Sequence, residues 1–445
     1  MLDIDVLCQK HKRVFFAFLV ILIIYSLAHF LYSGVYYPVA QSGITSYMEE
    51  FANVKNFASI KAGTREVLHP YVHYGPTFYL LNYPIKDCTK VQLNYGILFI
   101  NYIFLFWMFL ICVKVFIPQD KKNKAVYVIL LAVLFFNFRP FYEVTSWRNV
   151  EIFELFLMCL ALYSFLRGRR VLCGIFLSLA ALTKMLPLVF IFYIFFKDRK
   201  AFISSVISGA VLMLIATYAF GNDVGFLYLP HLLTRAVGGY DPGFFENTSL
   251  KGLIYRIFAG FRWSNETLGF VLNGKAAAWA EMSSKILQAA GMLFLAFISF
   301  SRYKHKDGNK IMLEFGLASL FAIMLAPFSN YGYATLTFLA FAVIFYYMIT
   351  KPASISKPVI VSSAIGYFLV GNFLPLTFAK YLPWEQINNF FGNTSTVEYL
   401  GKGKFLYWWQ SYCIPTFGYI SVFIALFLII KRNGFLKLSL QNREG

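Results

Sequence analysis

The sequence predicts an all-α polytopic membrane protein, and three observations carry that prediction. Hydrophobic residues make up 59% of the 445-residue chain and charged residues only 14%, whereas a soluble domain carries roughly 25% charge. Aromatic residues reach 20%, which suits lipid-facing and interfacial positions. Long apolar runs alternate with short basic clusters, as they do in proteins with many transmembrane helices.

The apolar runs predict about 12 transmembrane or membrane-embedded helices, because a spanning helix needs roughly 20 apolar residues. The first run has no evident cleavage site and is long enough to span, so we interpret it as a signal anchor. The predicted segments are 14–34, 95–117, 125–138, 150–166, 171–183, 185–196, 201–220, 286–300, 311–327, 335–350, 358–378 and 413–430.

Basic residues predict the orientation. With both chain ends in the cytoplasm, the cytoplasmic segments hold 22 Lys and Arg in 60 residues, against 16 in 170 residues of the outer loops. That is about a fourfold difference in density, in the direction of the positive-inside rule. Acidic residues show the reverse distribution, with 12 of 21 in the outer loops. The sequence therefore predicts an N-in/C-in bundle with large outer loops at 35–94 and 221–285.

One stretch predicts a hairpin rather than a single span. The basic clusters 167–170 and 197–200 flank 26 mostly apolar residues. A single helix would leave one cluster outside, whereas two short helices meeting at Thr183 and Lys184 keep both clusters inside. Short broken helices survive at membrane depth only where protein or a water-filled cavity covers them. The tip of this hairpin is therefore expected to line a cavity.

Composition and motifs exclude several classes of function. The formal charge of +19 does not indicate a nucleic-acid partner, because the basic residues lie in short clusters between apolar runs. The six cysteines show no ligand-like spacing, and the chain has no HExxH, P-loop or dinucleotide-binding fingerprint. We expect no metal site and no bound cofactor.

Lys184, at the predicted tip, is a charge within the membrane, which costs about 2.5–3.5 kcal/mol on insertion scales. Its ammonium either snorkels to the headgroups or serves as a fixed cation for an anionic group such as a lipid phosphate; the second interpretation is favoured.

Other candidate residues lie in or beside the outer loops. Carboxylates and cations on one face of a membrane protein suit acid–base work beside phosphate binding, although solvated loop charges are the alternative for each residue. The candidates are Glu49, Glu50, Tyr74, Arg148, Glu151, His231, Arg235, Asn247, Ser249, Arg256 and Tyr331.

Three segments carry a resemblance to a known family. The stretch 166–200 contains a basic cluster, a short apolar helix, Lys184-Met185-Leu186-Pro187 and a second basic cluster. Segment 147–151 is similar to a Trp-Gly-Gln-x-Asn motif, and segment 246–252 with Arg256 is similar to Asn-x-Ser-Leu-x-Gly and its arginine. In order and spacing they resemble glycosyltransferase family 87, polyprenyl-phosphate-sugar-dependent mannosyltransferases of the C-type membrane superfamily.

The resemblance covers roughly residues 10–350, which would form the C-type core, with 351–445 completing the bundle. It implies an acidic catalytic base in the first outer loop. Members tend to have Asp-Phe there, and this chain has Glu50-Phe51, with Glu49 beside it. Near Tyr331, members often have a histidine that this chain lacks. Lys184, with Arg235 or Arg256, would stabilise the departing phosphate.

The resemblance therefore implies an inverting transfer of a sugar, with mannose favoured, from a polyprenyl-phosphate donor to a lipid or glycan acceptor. The reaction would take place on the extracytoplasmic side of a membrane, with the bacterial inner (plasma) membrane favoured. One alternative is a transporter or flippase for an anionic or lipid-linked solute, but no repeated halves are visible in the sequence. Another is an assembly partner that keeps the fold without the chemistry.

Overall fold

A computed structural model describes residues 12–36, 74–119, 123–222, 224–230, 246–260, 274–300, 307–371 and 413–435, with a few isolated positions between 244 and 272. Among these residues the regular secondary structure is helical apart from two antiparallel two-residue strands, β1 (Trp263–Ser264) and β2 (Gly269–Phe270). The all-α prediction is therefore confirmed. Glu49, Glu50, His231 and Arg235 lie outside the described residues.

The first nine α-helices follow the predicted apolar runs, with two additions. They are α1 (Lys12–His29, continued as a π-helix over Phe30–Tyr36), α2 (Pro76–Asn82), α3 (Lys90–Phe116), α4 (Lys124–Phe136), α5 (Arg139–Trp147), α6 (Glu151–Leu166), α7 (Arg170–Ala181), α8 (Leu188–Lys197) and α9 (Arg199–Phe220). The additions, α2 and α5, are too short to span a bilayer of roughly 30 Å by themselves.

Six further α-helices lie in the described part of the second half. They are α10 (Leu250–Phe258), α11 (Gly274–Phe300), α12 (Gly308–Met324), α13 (Thr337–Thr350, preceded by a 3₁₀ helix over Tyr331–Leu336), α14 (Lys357–Gly371) and α15 (Ile414–Arg432). Each of the predicted apolar segments thus contains a helix.

Five described helical segments are long and apolar enough to cross a membrane: α3, α9, α15, residues Gly274–Ser299, and residues Tyr331–Thr350. A sixth would be the pair α4 and α5, which meet at an angle of 49°. Pro140, in the first turn of α5, explains the break because its ring cannot continue a preceding helix. The protein is therefore a polytopic membrane protein; the count of 12 and the N-in/C-in orientation stay predictions.

The centre of the bundle is α12, whose residues are all buried from Lys310 to Met324. The helix α13 packs against it, with Gly316 of α12 lying close to Val343. By contrast, α3 and α9 leave large side chains such as Phe99 and Tyr218 exposed. A helix that is apolar all round and buried belongs to the core, and exposed apolar faces suit contact with lipid.

The helices α7 and α8 form the predicted hairpin. Arg170, the first residue of α7, has its Nε 3.2 Å from Oδ2 of Asp198, directly after the last residue of α8. The start of α7 and the end of α8 therefore meet. Both basic clusters lie at this end of the hairpin, and the tip with Lys184 lies at the other. Asp198 also caps α9 by accepting from Ala201 N at 2.9 Å.

A cluster of buried charges lies where α8 ends, and we call it the Glu314 cluster. The Glu314 carboxylate accepts from Lys197 Nζ at 2.9 Å (Oε1) and from Tyr193 Oη at 2.7 Å (Oε2). Lys310 Nζ lies 3.6 Å from Glu314 Oε1. Both carboxylate oxygens therefore have partners, and the cluster holds α8 against α12.

Candidate functional site

The tip of the α7–α8 hairpin is held by the segment that begins at Tyr74. Gly75 N donates to Thr183 O at 2.9 Å, and Thr77 N donates to Leu182 O at 3.0 Å. A Cβ atom on Gly75 would lie 2.1 Å from Leu182 O. Only glycine allows this approach, so residues 74–77 are fixed against the turn that presents Lys184.

Lys184 points into the protein. Its Nζ lies 2.6 Å from Glu151 Oε1, 4.9 Å from the ring centroid of Tyr74 and 4.3 Å from that of Tyr333. The residue is only 8% exposed. The snorkelling interpretation is therefore wrong, and Lys184 is a buried cation between two aromatic rings and a carboxylate.

Two glutamates from the first turn of α6 complete what we call the Lys184 centre. Glu151 uses Oε1 to bind Lys184, and its Oε2 has no hydrogen-bond partner among the described residues. Glu154 is fully buried, and neither of its carboxylate oxygens has a partner there. The centre thus combines one ammonium with two carboxyl groups, and three of their four oxygens have no hydrogen-bond partner among the described residues.

The turn between α5 and α6 aligns these groups. Arg148 has a left-handed backbone conformation with φ of 55°, and its buried guanidinium donates to Ser146 O. The next residue, Asn149, accepts from Tyr74 Oη at 2.6 Å through its Oδ1. Asn101 of α3 donates to Asn149 O at 3.5 Å. Tyr74 and Glu151, both predicted as substrate-binding residues, therefore lie in one network with Lys184.

Asn247, Ser249 and Arg256 form a second group, the 247–256 strap. Asn247 Oδ1 accepts from Ser249 N at 3.1 Å and from Ser329 N at 3.2 Å. Ser249 caps α10 by accepting from Gly252 N. The Arg256 guanidinium donates to the carbonyl oxygens of Asn247, Gly252 and Phe244. These bonds fold the strap onto itself and onto the backbone at 329.

The segment from Ser329 to Tyr333 connects the two groups. Ser329 O accepts from Thr248 Oγ1 at 2.9 Å, and the Tyr333 ring lies over Lys184. Between them, a Cβ atom on Gly332 would lie 3.3 Å from Glu151 Oε1. Tyr331 instead turns away and donates to Val370 O at 2.8 Å. The strap therefore positions one aromatic wall of the Lys184 centre.

The substrate-binding roles of Arg148, Asn247, Ser249 and Tyr331 and the phosphate-binding role of Arg256 stay predictions. The described contacts of these residues are mainly with backbone groups of the protein itself. Sequence reasoning missed Glu154 and Tyr333. A signal existed for Glu154, because an acidic residue inside an apolar run is costly unless it has a purpose. Tyr333 carries no such signal, since one tyrosine among 30 stands out only once Lys184 is seen beside it.

An apolar groove lies on the side of α3 opposite the Lys184 network. It has a volume of about 680 Å³. Tyr102 lines it, and the preceding Asn101 contacts the Lys184 network, so the same turn of α3 separates the two sites. The lining residues come from α1 with its π-helical extension, α3, α4 and α5: Ile23, Ser26, Leu27, Phe30, Val35, Tyr102, Leu105, Phe106, Ile129, Ala132, Val133, Phe135, Phe136, Phe141 and Tyr142.

Glu246, directly before the strap, is a partly buried acid outside the membrane-spanning helices. Burial raises the pKa of Glu246 from its ordinary value of 4.5 to about 7. Near neutral pH this carboxyl group is therefore divided between its acid and its carboxylate form.

No group of three or more His, Cys, Asp and Glu side chains that could hold a metal ion occurs among the described residues. The Lys184 centre instead offers a single ammonium, flanked by aromatic rings and carboxyl groups. Such a set can bind an anionic group through the ammonium and accept hydrogen bonds from hydroxyl groups through the carboxylates.

Comparison with known proteins agrees with this chemistry. The family model of glycosyltransferase family 87 matches residues 71–327, more than half of the chain, and that span contains the hairpin, the strap and all of the Lys184 centre except Tyr333. No curated protein and no solved structure shows a significant match. The chain belongs to glycosyltransferase family 87, and it is a membrane-embedded glycosyltransferase.

Proposed function

We propose that this protein transfers a sugar, with mannose favoured, from a polyprenyl-phosphate donor to a lipid or glycan acceptor at the extracytoplasmic face of the membrane. The observation that carries the proposal is the buried ammonium of Lys184, which lies at the hairpin end opposite the two basic clusters. If those clusters face the cytoplasm, as the positive-inside rule predicts, the Lys184 centre lies towards the outer side.

A single fixed ammonium suits a monophosphate donor. When the bond from the anomeric carbon to the phosphate oxygen breaks, negative charge grows on the leaving phosphate. Lys184 is preorganised in a site screened from water, where an ammonium stabilises that charge far more than it would in bulk water. The two rings beside it favour a cation at this position, so the ammonium is already inside the site before the bond breaks.

The acceptor hydroxyl needs a base that removes its proton, and both substrates need side chains that hold them in line. Glu50 is proposed as that base, with Glu49 as the neighbouring alternative; both lie outside the described residues. Glu50 would remove the hydroxyl proton as the oxygen attacks the anomeric carbon from the face opposite the phosphate, which inverts the configuration. Oε2 of Glu151 is an available acceptor for a sugar hydroxyl, and holding both substrates in line supplies much of the acceleration.

The apolar groove supports a lipid-linked substrate. Its walls are almost entirely hydrocarbon and aromatic, as a prenyl or acyl chain requires, and it shares α3 with the Lys184 network. A lipid chain in the groove would leave its phosphate or sugar near that network. Membrane lipids are therefore both the medium and the proposed source of the substrates.

The test is transfer by the purified full-length protein in bilayer vesicles. Polyprenyl-phosphate mannose and polyprenyl-phosphate glucose, each radiolabelled, are offered with a membrane lipid extract, and nucleotide-linked mannose serves as the comparison donor. We expect labelled product from a polyprenyl donor only, with inverted anomeric configuration. Transfer from the nucleotide donor in the absence of polyprenyl phosphate would overturn the donor assignment.

Variants assign the roles. Glu50→Gln should abolish transfer while donor binding persists, and Glu49→Gln should reduce it less. If Glu50→Gln leaves the rate unchanged, Glu50 is not the base. Ala132→Trp fills the groove and should raise KM for the lipid donor. The matched control, Ile207→Trp, places the same ring on an exposed position of α9 and should leave KM as it is.

A further inference from the structure

Glu154 is a buried acid that neither the fold nor the proposed chemistry accounts for. It is fully buried, and both of its carboxylate oxygens are without a partner among the described residues. A buried, unpaired carboxylate costs so much free energy that such a group is neutral instead. Glu154 therefore enters the Lys184 centre as a carboxylic acid, with one O–H group to donate.

The position of Glu154 matches that of Glu151. The two residues are three apart on α6, so their side chains lie on the same face of the helix, with Cβ atoms roughly 5–6 Å apart. Lys184 and Glu151 are the charged groups that act on the Glu154 carboxyl. In the structure Lys184 neutralises Glu151 through a contact of 2.6 Å, and the Glu154 O–H has no described acceptor.

An anion that binds at this centre competes with Glu151 for the ammonium of Lys184. If Lys184 turns to a phosphate oxygen, Glu151 loses its cation and becomes a buried carboxylate with no described partner. Removing one member of a buried ion pair is strongly unfavourable for that reason. A ligand that takes Lys184 away from Glu151 therefore binds well only if another donor replaces the ammonium.

We propose that Glu154 is that donor, and that the Lys184 centre works by partner exchange. Without a donor substrate, Lys184 pairs with Glu151. When the phosphate of a lipid-linked substrate binds, Lys184 moves to the phosphate, and the Glu154 O–H donates a hydrogen bond to Glu151. No covalent bond changes and no proton leaves Glu154. Glu151 keeps its charge at the N-terminus of α6, where the helix dipole favours an anion.

Glu154 is thus a positioning residue that sets donor affinity through Glu151. The inference rests on the proposed lipid-phosphate donor and adds how the Lys184 centre accommodates the phosphate of that donor. The exchange also explains an otherwise unfavourable feature, because an apolar residue at 154 would remove a buried polar group with no described partner. Such a replacement is neutral or stabilising in a core without a function.

The experiment measures binding of farnesyl phosphate, a short prenyl monophosphate, to the full-length protein in vesicles. Glu154→Leu should raise the Kd about tenfold or more, since Glu151 then has no donor to replace Lys184. Glu154→Gln keeps an N–H donor and should restore the Kd to within about threefold of wild type. Met158→Leu, a volume-conserving change on the same helix, is the matched control.

A double variant isolates the exchange. In Glu151→Gln the exchange is not needed, so adding Glu154→Leu should change the Kd by less than twofold. Thermal unfolding should show Glu154→Leu at least as stable as wild type, which separates weak binding from misfolding. The infrared band of a protonated carboxyl group should be lost in Glu154→Gln.

The outcomes separate the two proposals. If wild type does not bind farnesyl phosphate, the donor assignment is overturned and the exchange falls with it. If wild type binds and Glu154→Leu binds equally well, or if its effect persists unchanged with Glu151→Gln, the exchange alone is overturned. If Glu154→Gln binds farnesyl phosphate no better than Glu154→Leu does, a donor at position 154 does not replace Lys184, and the exchange alone is again overturned.

Discussion

The protein buries charge at both ends of α8, and the two sites differ in how completely their hydrogen bonds are satisfied. In the Glu314 cluster, two lysines and one tyrosine surround a single carboxylate, and both oxygens have partners. In the Lys184 centre, one lysine faces two glutamates, and three of four carboxylate oxygens have no described partner. Similar chemical groups have complete hydrogen bonds in the Glu314 cluster and incomplete ones in the Lys184 centre.

That difference separates a structural from a functional role. A buried charge is tolerated when its partners are complete, so the Glu314 cluster needs no ligand to explain it. The Lys184 centre is incomplete, and an incomplete buried centre costs stability unless a ligand completes it. Sites that violate the rules of a well-satisfied core are where function is expected.

The largest expected effect comes from removing the ammonium of the Lys184 centre. Lys184→Met should lower kcat about 100- to 1,000-fold, the usual loss when one preorganised charge-stabilising group is deleted. Lys184→Arg keeps the charge with a different shape and should lose less. The measurement is sugar transfer in vesicles at saturating donor. A kcat for Lys184→Met within threefold of wild type would contradict a role in phosphate departure.

The mirror-image variant at the other end of α8 should affect stability instead. Lys197→Met leaves Glu314 with Tyr193 and the more distant Lys310. Breaking a buried pair in this way costs about 3–5 kcal/mol, so the melting temperature in detergent should fall clearly. The specific activity of the protein that remains folded should be preserved. Loss of activity with an unchanged melting temperature would erase the distinction between the two sites.

A smaller effect should follow from disturbing the strap that positions Tyr333. A methyl group in Gly252→Ala would lie 2.4 Å from Asn247 O and 3.0 Å from Arg256 Nη1. The strap must shift, at a cost of about 1–3 kcal/mol, and activity should fall severalfold as the wall of the Lys184 centre moves. Gly96→Ala is the matched control, since its Cβ would meet nothing within 4 Å. If Gly252→Ala and Gly96→Ala had the same activity, the strap could move without disturbing the Lys184 centre.

The sequence was sufficient to predict the Lys184 hairpin, but it could not identify the partners of Lys184. Two basic clusters separated by 26 residues cannot both stay inside unless the chain reverses, and a lysine in an apolar run demands a purpose. These are local properties. The pairing with Glu151 spans 33 positions and the contact with Tyr333 spans 149, and such long-range contacts depend on how the helices pack.

Arg256 shows the complementary difficulty. Its charge and its match to a family motif favoured a phosphate ligand, and both remain true of the sequence. In the folded chain its guanidinium binds three backbone carbonyls, an arrangement that no spacing rule foretells, because carbonyl groups carry no sequence signature. Phosphate binding by Arg256 therefore stays a prediction, to be judged by donor KM in Arg256→Lys.

The smallest expected effect is on the pH dependence of stability, and it concerns Glu246, which directly precedes the strap. Burial raises the pKa of Glu246 to about 7, so the folded protein binds its proton more tightly than the unfolded chain does. Stability should therefore fall as pH rises from about 4.5 to about 7, and the deficit should then stay constant. In Glu246→Gln the charge cannot form. Relative to wild type, its melting temperature should rise by about 1–3 °C between pH 5 and pH 8.

Asp87→Asn, which changes an exposed carboxylate, is the matched control, and its melting profile should run parallel to that of wild type. Neither variant changes the Glu314 cluster. Any pH dependence of the melting temperature that Glu246→Gln removes therefore comes from Glu246. If Glu246→Gln also runs parallel to wild type, Glu246 is solvated in both states. The ionisation of Glu246 would then make no contribution to the stability of the folded protein.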